Sequence, residues 1–240
     1  MARKLTDPLV FAAGVVLVIV AFLGLDHYST AHQQLAIGAA TWAVLLASCV
    51  SLEPEDRARV ALVVLVASTA EVFGSIILGA YTYRLENLPS FVPPGHGLVY
   101  LAGLRISQSA PVLRHPRAFA GAAAVVVGIW SAAGLVLLGR TDLLGALAGV
   151  LLIYVLLRGR APTLYAGVFV IVGFLEIYGT SIGAWHWASS VPGTPLASGN
   201  PPSGIASIYV LFDIAAITLA PRLLALLRSL RRLPRLATST

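Results

Sequence analysis

The chain of 240 residues is 58% hydrophobic and 11% charged, and its mean hydropathy is +0.88. A soluble domain carries about 25% charged residues, so this chain cannot cover a water-facing surface. Its one cysteine, Cys49, excludes an internal disulfide and a cysteine-based zinc or iron–sulfur site. The net charge of +6 does not indicate nucleic acid as a partner, because the basic residues lie in short connections between apolar blocks and in the tail.

Apolar blocks of about 20 residues, the length of a helix that crosses the hydrocarbon core, fill most of the chain. They predict an all-α, polytopic membrane protein with about eight transmembrane helices. The predicted spans, in chain order, are 8–25, 32–51, 60–83, 96–112, 118–138, 142–158, 163–186 and 204–220. The first block follows a basic start, as a signal peptide does, but it is long and no small-residue cleavage site precedes a soluble domain. We therefore interpret it as a retained helix.

The connections between the predicted spans carry basic residues on alternate sides. One side holds Arg3, Lys4, Arg57, Arg59, Arg114, Arg117, Arg158 and Arg160. By the positive-inside rule, this alternation predicts that both termini are cytoplasmic and that the protein lies in the cell (plasma or inner) membrane. The tail, residues 222–240, joins the same side with five arginines and with leucines at helical spacing. That pattern predicts an amphipathic helix on anionic lipid headgroups.

An internal repeat relates the third and fourth predicted spans to the seventh and eighth. "EVFGS" at 71–75 matches "EIYGT" at 176–180, and "GAYTY" at 79–83 matches "GAWHW" at 183–187. Further matches are Pro93 with Pro201, Pro94 with Pro202 and Tyr100 with Tyr209. Units with an even number of spans share one orientation, which predicts two parallel four-helix repeats. The predicted units are residues 1–117 and 118–221, with the tail at 222–240.

Each repeat places one glutamate, Glu71 or Glu176, in the middle of an apolar span. Ionisable groups inside a membrane are costly and usually functional. The repeat predicts that the two glutamates face each other across a central cavity, covered by outer loops or shallow re-entrant turns that contain the Pro-Pro pairs. Such a pair can hold a proton for general acid catalysis or for proton coupling. Alternatively, each glutamate is protonated and bridges helices, with Ser75 or Thr180 as its partner.

Asp213 is a further charged residue in the eighth predicted span, and Arg105 lies at or beside its repeat equivalent in the fourth. They predict either an ion pair that locks the helices or a supporting catalytic role for Asp213. Arg105 alternatively extends toward the cytoplasm, since its span ends soon after it. His96, which follows the Pro-Pro turn and is flanked by glycines, is the best functional histidine.

Aromatic and polar residues of the repeated segments are candidates for binding substrate, and an interfacial aromatic belt is the alternative for those near span ends. The candidates are Tyr81, Tyr83, Trp185, Trp187, Tyr100, Tyr209, Asn200 and Arg105. His27, His32 and His186 are predicted on the outer side with Asp26, but no tight ligand spacing such as H-x-x-x-H joins them. We therefore predict no metal and no other cofactor.

The sequence resembles a family of bacterial and archaeal membrane proteins of carotenoid biosynthesis. The residues that carry the resemblance are Glu71, Gly74, Gly79, Tyr81, Tyr83, Leu88, Pro89, Val92 and Pro93. That family includes hydratases that add water to the terminal double bond of acyclic carotenoids. The resemblance implies that a glutamate protonates carbon in a dry pocket, that aromatic faces shelter the cation, and that a second carboxylate orients water.

Three classes of function remain open. The first is a membrane enzyme, such as a lyase of the hydratase type, acting on a lipid or isoprenoid with Glu71 and Glu176 as acid and base and with His96 and Asp213 in support. The second is a proton-coupled carrier or lipid-binding protein that uses the same glutamates. The third is a non-catalytic subunit of a membrane complex. Membrane lipids or an isoprenoid are the predicted partners, and the oligomeric state is left open.

Overall fold

The computed structural model describes residues 7–232, so the first basic residues and the end of the predicted tail lie outside the described residues. Most of the described chain is helical. Its helices are α1 Pro8–His27, α2 Ala31–Cys49, α3 Pro54–Glu71, α4 Val92–Ser107, α5 Ala110–Arg114, α6 Pro116–Val136, α7 Leu143–Arg158, α8 Pro162–Ser181 and α9 Ala206–Arg232. A π-helical turn, Val72–Ile77, extends α3, and the two strands are β1 Tyr81–Tyr83 and β2 Trp185–Trp187.

Five of the described helices are long and apolar enough to cross a membrane, which supports the prediction of a polytopic helical membrane protein. They are Pro8–His27, Pro54–Ile77, Pro116–Val136, Pro162–Ser181 and Ala206–Leu230. The apolar helix α7 is shorter, at 16 residues. Each of the eight predicted spans contains a helix, but α2, α4 and α7 are not among these five.

Two predicted spans are wrong at their outer ends. The spans 60–83 and 163–186 were expected to continue through the aromatic segments, but the helices end at Ile77 and Ser181. The chain leaves the helix because Gly79 and Gly183 adopt φ of 68° and 72°, a left-handed conformation that a right-handed helix does not contain.

The two strands pair with each other in an antiparallel ribbon. Tyr81 pairs with Trp187, Thr82 with His186, and Tyr83 with Trp185. Strands 102 residues apart in the sequence therefore form one ribbon, whose centre is the pair of Thr82 and His186. In such a ribbon, residues i and i+2 lie on the same face, so four aromatic side chains share one face of this ribbon.

Four helices form the centre of the protein: α3 packs mainly on α9, and α4 packs mainly on α8. Around this centre, α1 packs on α4, while α6 and α7 pack on each other and on α8. Helices α4 and α8 approach each other very closely at Gly103 and Gly167. A Cβ on Gly103 would meet Val168, and one on Gly167 would meet the backbone of Gly103. Small residues allow such backbone contact between membrane helices.

The predicted Pro-Pro loops are correct for one segment only. Pro93 and Pro94 lie in the first turn of α4, where proline fits because the first N–H groups of a helix have no helical acceptor. Pro201 and Pro202 do lie in the loop before α9.

The outer loops are ordered by buried polar contacts at the turns between helices. Asp26 Oδ1 accepts hydrogen bonds from Ser29 Oγ and Gln34 Nε2, both at 2.9 Å. Gln34 Oε1 in turn accepts from Asn87 Nδ2 at 2.7 Å, which attaches the loop before α4 to α2. Arg84 also donates to the backbone oxygen of Asp26.

Asp142 has the corresponding role in the second half of the chain. Its Oδ1 accepts from the backbone N–H groups of Gly145 and Gly199 at 2.9 and 2.8 Å. Its Oδ2 accepts from the N–H of Ser203 at 2.7 Å. Asp142 therefore begins α7 and also holds the loop that leads to α9.

We expect Asp142→Asn to lower the melting temperature of the detergent-purified protein. An amide has one acceptor oxygen, so a buried N–H loses its partner at a cost of about 1–3 kcal/mol. The control is Asp7→Asn, because Asp7 caps α1 through one carboxylate oxygen and asparagine caps a helix equally well. Equal melting temperatures for the two variants would contradict this role of Asp142.

Candidate functional site

A cavity of about 440 Å³ lies between the central helices and the aromatic ribbon. Glu71 and Glu176 both line it, together with His96 and Tyr209. The rest of the lining is mostly apolar and comes from the π-helical turn, the outer loops and the helices α1, α2, α3, α4, α7, α8 and α9. Its size lies within the range of about 300–1,000 Å³ typical of small-molecule sites.

Glu71 is 7% exposed. Its carboxylate can accept about four hydrogen bonds, and three polar side chains lie within hydrogen-bond distance of it. Its Oε2 accepts hydrogen bonds from the hydroxyls of Tyr81 and Tyr83 at 2.7 and 2.8 Å. Its Oε1 lies 2.9 Å from His96 Nε2. Burial, followed by the neighbouring Glu71, raises the pKa of both tyrosine hydroxyls, so both remain protonated donors at neutral pH.

The Glu176 carboxyl group, at 3% exposure, is held in a matching way. Its Oε2 accepts hydrogen bonds from the indole N–H groups of Trp185 and Trp187 at 3.0 and 3.1 Å. The hydroxyl of Tyr209 lies 3.5 Å from Oε1, at the limit of a hydrogen bond. Each glutamate thus receives two side-chain donors from the strand that follows its own helix.

The two glutamates do not have the partners expected if each only bridged helices through Ser75 or Thr180. No described hydrogen bond joins Glu71 to Ser75, and Thr180 donates to the backbone oxygen of Glu176, not to its carboxyl group. Both carboxyl groups instead accept hydrogen bonds from aromatic side chains. These aromatic residues therefore have a role beyond that of an interfacial belt.

Glycines at matching positions make room for the aromatic rings. A Cβ on Gly74 would lie 3.1 Å from the ring of Tyr81, and a Cβ on Gly179 would overlap the ring of Trp185. The E-x-x-G pattern therefore has a physical reason, because the glycine one turn beyond the acid receives the ring that binds that acid.

The two carboxyl groups differ in charge compensation. Glu71 contacts an ionisable base, His96, whereas the described partners of Glu176 are neutral donors. The His96 ring packs on the ring of Tyr209, with centroids 4.9 Å apart, and on Phe212 at 5.9 Å. His96 therefore bridges the two halves of the cavity.

Several candidates lie outside the cavity. Asp213 is buried at 2% exposure, but it contacts neither glutamate and does not line the cavity. Tyr100 is buried one turn beyond His96 and does not line the cavity either. Asn200 organises an outer loop, since its Oδ1 accepts from the backbone N–H of Trp187 at 2.9 Å.

The prediction of an ion pair between Arg105 and Asp213 is wrong, because no such pair occurs among the described residues. Arg105 instead lies near the end of α4, where it contacts Gln108 at 3.3 Å and the ring of Phe11 at 5.6 Å. This agrees with the alternative that Arg105 extends away from the membrane interior.

No cluster of three potential metal ligands occurs in the part of the chain that the structure describes. His27 Nδ1 lies 2.8 Å from the backbone oxygen of Ile182. His186 lies between Arg140 and Asn200, at 3.0 and 3.2 Å.

Part of the lining could not be predicted from the sequence. Phe22 and Leu23 of α1 and Phe212 of α9 line the cavity, yet they belong to uniformly apolar helices. Periodicity cannot separate a cavity face from a lipid face when both are apolar. By contrast, the position of His96 beside the repeated segment was enough to predict it as a functional residue, and His96 lines the cavity.

Comparisons with protein-family models, with curated proteins and with solved structures find no match to this chain. The resemblance to the carotenoid-biosynthesis family therefore stays a prediction. The geometry of the cavity is the basis for the function proposed below.

We expect Gly179→Ala to destabilise the protein and to change its tryptophan fluorescence, because the new Cβ displaces the Trp185 ring from Glu176. Overpacking costs about 1–3 kcal/mol and outweighs the gain of about 1 kcal/mol from alanine in a helix. Thermal unfolding and emission spectra in detergent measure both effects. Gly14→Ala is the control, since a Cβ there meets no neighbouring atom. A Gly179→Ala protein as stable as this control would contradict the role of the glycine.

Proposed function

We propose that this protein is a membrane enzyme that acts on a lipid or isoprenoid by acid-catalysed chemistry, with hydration of a carbon–carbon double bond as the specific reaction. The observation that carries the proposal is the meeting of two buried carboxyl groups, Glu71 and Glu176, in one mostly apolar cavity. A carrier for polar solutes would need more polar lining than this cavity offers.

A repeat organisation is part of the proposal. The strands pair so that Thr82 lies opposite His186, its match in the repeat, as a two-fold axis through the ribbon requires. The packing of α3 on α9 and of α4 on α8 follows the same symmetry, since α3 matches α8 and α4 matches α9. These features support two parallel units related by an axis along the membrane normal.

The glutamates have different roles in this proposal. Glu176 contacts neutral donors, so it is the group that holds a proton and delivers it to carbon. Glu71, which contacts His96, is the carboxylate that orients water and accepts its proton. The environments of two acids separate their roles in the same way in other acid–base enzymes.

The reaction balances with water as the one co-reactant. The π electrons of the alkene form a C–H bond with the proton of Glu176, which leaves a cation on the neighbouring carbon. The rings of Tyr81, Trp187 and Phe212 provide faces near this charge. The oxygen of water then forms a C–O bond with this cation, and a proton of that water passes to Glu71. Transfer of this proton from Glu71 to the ionised Glu176 restores the starting state. The product is an alcohol.

We expect Glu176→Gln and Glu71→Gln each to lower product formation by about 10²–10⁴-fold, the usual contribution of a general acid or base. Mass spectrometry of lipid and pigment extracts from cells that express each variant measures the product. Glu53→Gln is the matched control, because Glu53 is exposed and makes no side-chain bond at the start of α3. Unchanged extracts from both cavity variants would refute the enzyme.

The proposed orientation places the connection between α2 and α3 in the cytoplasm and the loop after β2 outside. In a Cys49→Ala background, a membrane-impermeant maleimide on intact cells is expected to label Ser189→Cys and not Ser51→Cys. Both serines are exposed, so their accessibility to reagent is matched. Labelling of Ser51→Cys alone would reverse the orientation.

A further inference from the structure

A second group of buried polar atoms lies below the cavity. Asp213 Oδ2, the hydroxyl of Tyr100 and Nε of Arg59 are buried and have no hydrogen-bond partner among the described residues. An unpaired buried polar group costs about 1–3 kcal/mol. Nearly all such groups in proteins are paired with protein or with ordered water, so three together call for a common partner.

The position of this group follows from the helices that line the cavity. Tyr100 follows His96 by four residues on α4, and Asp213 follows Tyr209 by four residues on α9. Residues four apart share one face of a helix and lie about 6 Å apart along its axis. Since His96 and Tyr209 line the cavity, Tyr100 and Asp213 form the next layer inward.

Arg59 extends this layer toward the N-terminal end of α3. Its guanidinium pairs with Asp56 at 3.0 Å and with Glu55, both in the first turn of α3. The Nε of Arg59 is buried, and α3 packs on both α4 and α9, the helices that carry Tyr100 and Asp213. Polar groups therefore run from the first turn of α3 toward the layer beneath the cavity.

The charges of this group select its ligand. The guanidinium of Arg59 opposes a cation, and the carboxyl group of Asp213 opposes an anion. Water suits both, because it donates to Asp213 Oδ2 and accepts from Arg59 Nε, and it can do either with the Tyr100 hydroxyl. A buried water typically makes about three hydrogen bonds of this kind.

We propose that Asp213, Tyr100 and Arg59 bind a chain of ordered water molecules between the first turn of α3 and the cavity. The further statement, that this chain supplies the water consumed in the cavity, rests on the proposed function. In this arrangement the co-reactant reaches the cavity from the aqueous side of the protein.

Hydroxyl-radical footprinting tests the water chain on the full-length protein in detergent. Radicals produced from bound water by an X-ray pulse oxidise the side chains beside it, and mass spectrometry reads the modified residues. Tyr100 is 1% exposed, yet we expect it to be oxidised above the unirradiated background. Oxidation of Tyr100 no higher than that background would overturn the proposal.

Variants of Asp213 sharpen the test. Asp213→Leu is expected to reduce Tyr100 oxidation to the background, whereas Asp213→Asn, which still binds water, keeps it. Thr218→Val is the control on α9, because Thr218 is exposed and bonds only to the backbone of its own helix. Wild-type oxidation of Tyr100 in Asp213→Leu would overturn the role of Asp213. Melting temperatures identify a variant that has unfolded. If Asp213→Leu has unfolded, Asp213→Asn decides the outcome, because loss of Tyr100 oxidation in that variant would also contradict the proposal.

The water chain and the enzyme fail separately. Footprinting reports the water without any substrate, so absent oxidation refutes the chain even when product is formed. Oxidised Tyr100 with no product from the wild-type protein refutes the enzyme and leaves the chain in place. If both hold, Asp213→Leu is expected to lower product formation together with Tyr100 oxidation.

Discussion

The hydrogen bonds between the paired aromatic strands and the two glutamates are the interaction on which the cavity depends. A carboxyl group in an apolar interior is costly unless its oxygens are paired. Here one short ribbon presents two hydroxyl and two indole donors on one face, which pairs an oxygen of each glutamate. The ribbon can do so because left-handed glycines end the helices early and return the chain over the acid that it has just passed.

The outer loops and the central helices support this arrangement from both sides. Asp26 and Asp142 fix the loops through buried hydrogen bonds, and residues of the outer loops line part of the cavity. Below it, α3, α4, α8 and α9 hold the two glutamates and His96 at fixed separations. The cavity is thus a product of contacts that join distant parts of the chain.

Much of this architecture could be predicted from the sequence. Hydropathy gave the helices, and the repeated E-x-x-G segments indicated that Glu71 and Glu176 line one cavity. The strands could not be found, because three residues with aromatic side chains continue an apolar helix in any periodicity analysis. The pairing of Arg105 with Asp213 was wrong since matching positions in a repeat share an environment without being in contact. The walls from α1 had no signal in a uniformly apolar helix.

The indole donors at Glu176 have a consequence for where a proton can lie. An indole N–H is a donor only, whereas a hydroxyl can also accept. Because Oε2 of Glu176 faces two such N–H groups, a proton on this carboxyl group is confined to Oε1, the oxygen nearest Tyr209. Both donors at Oε2 of Glu71 are hydroxyls, which can reverse direction. One half of the ribbon therefore fixes the direction of its hydrogen bonds, and the other half leaves it free to change.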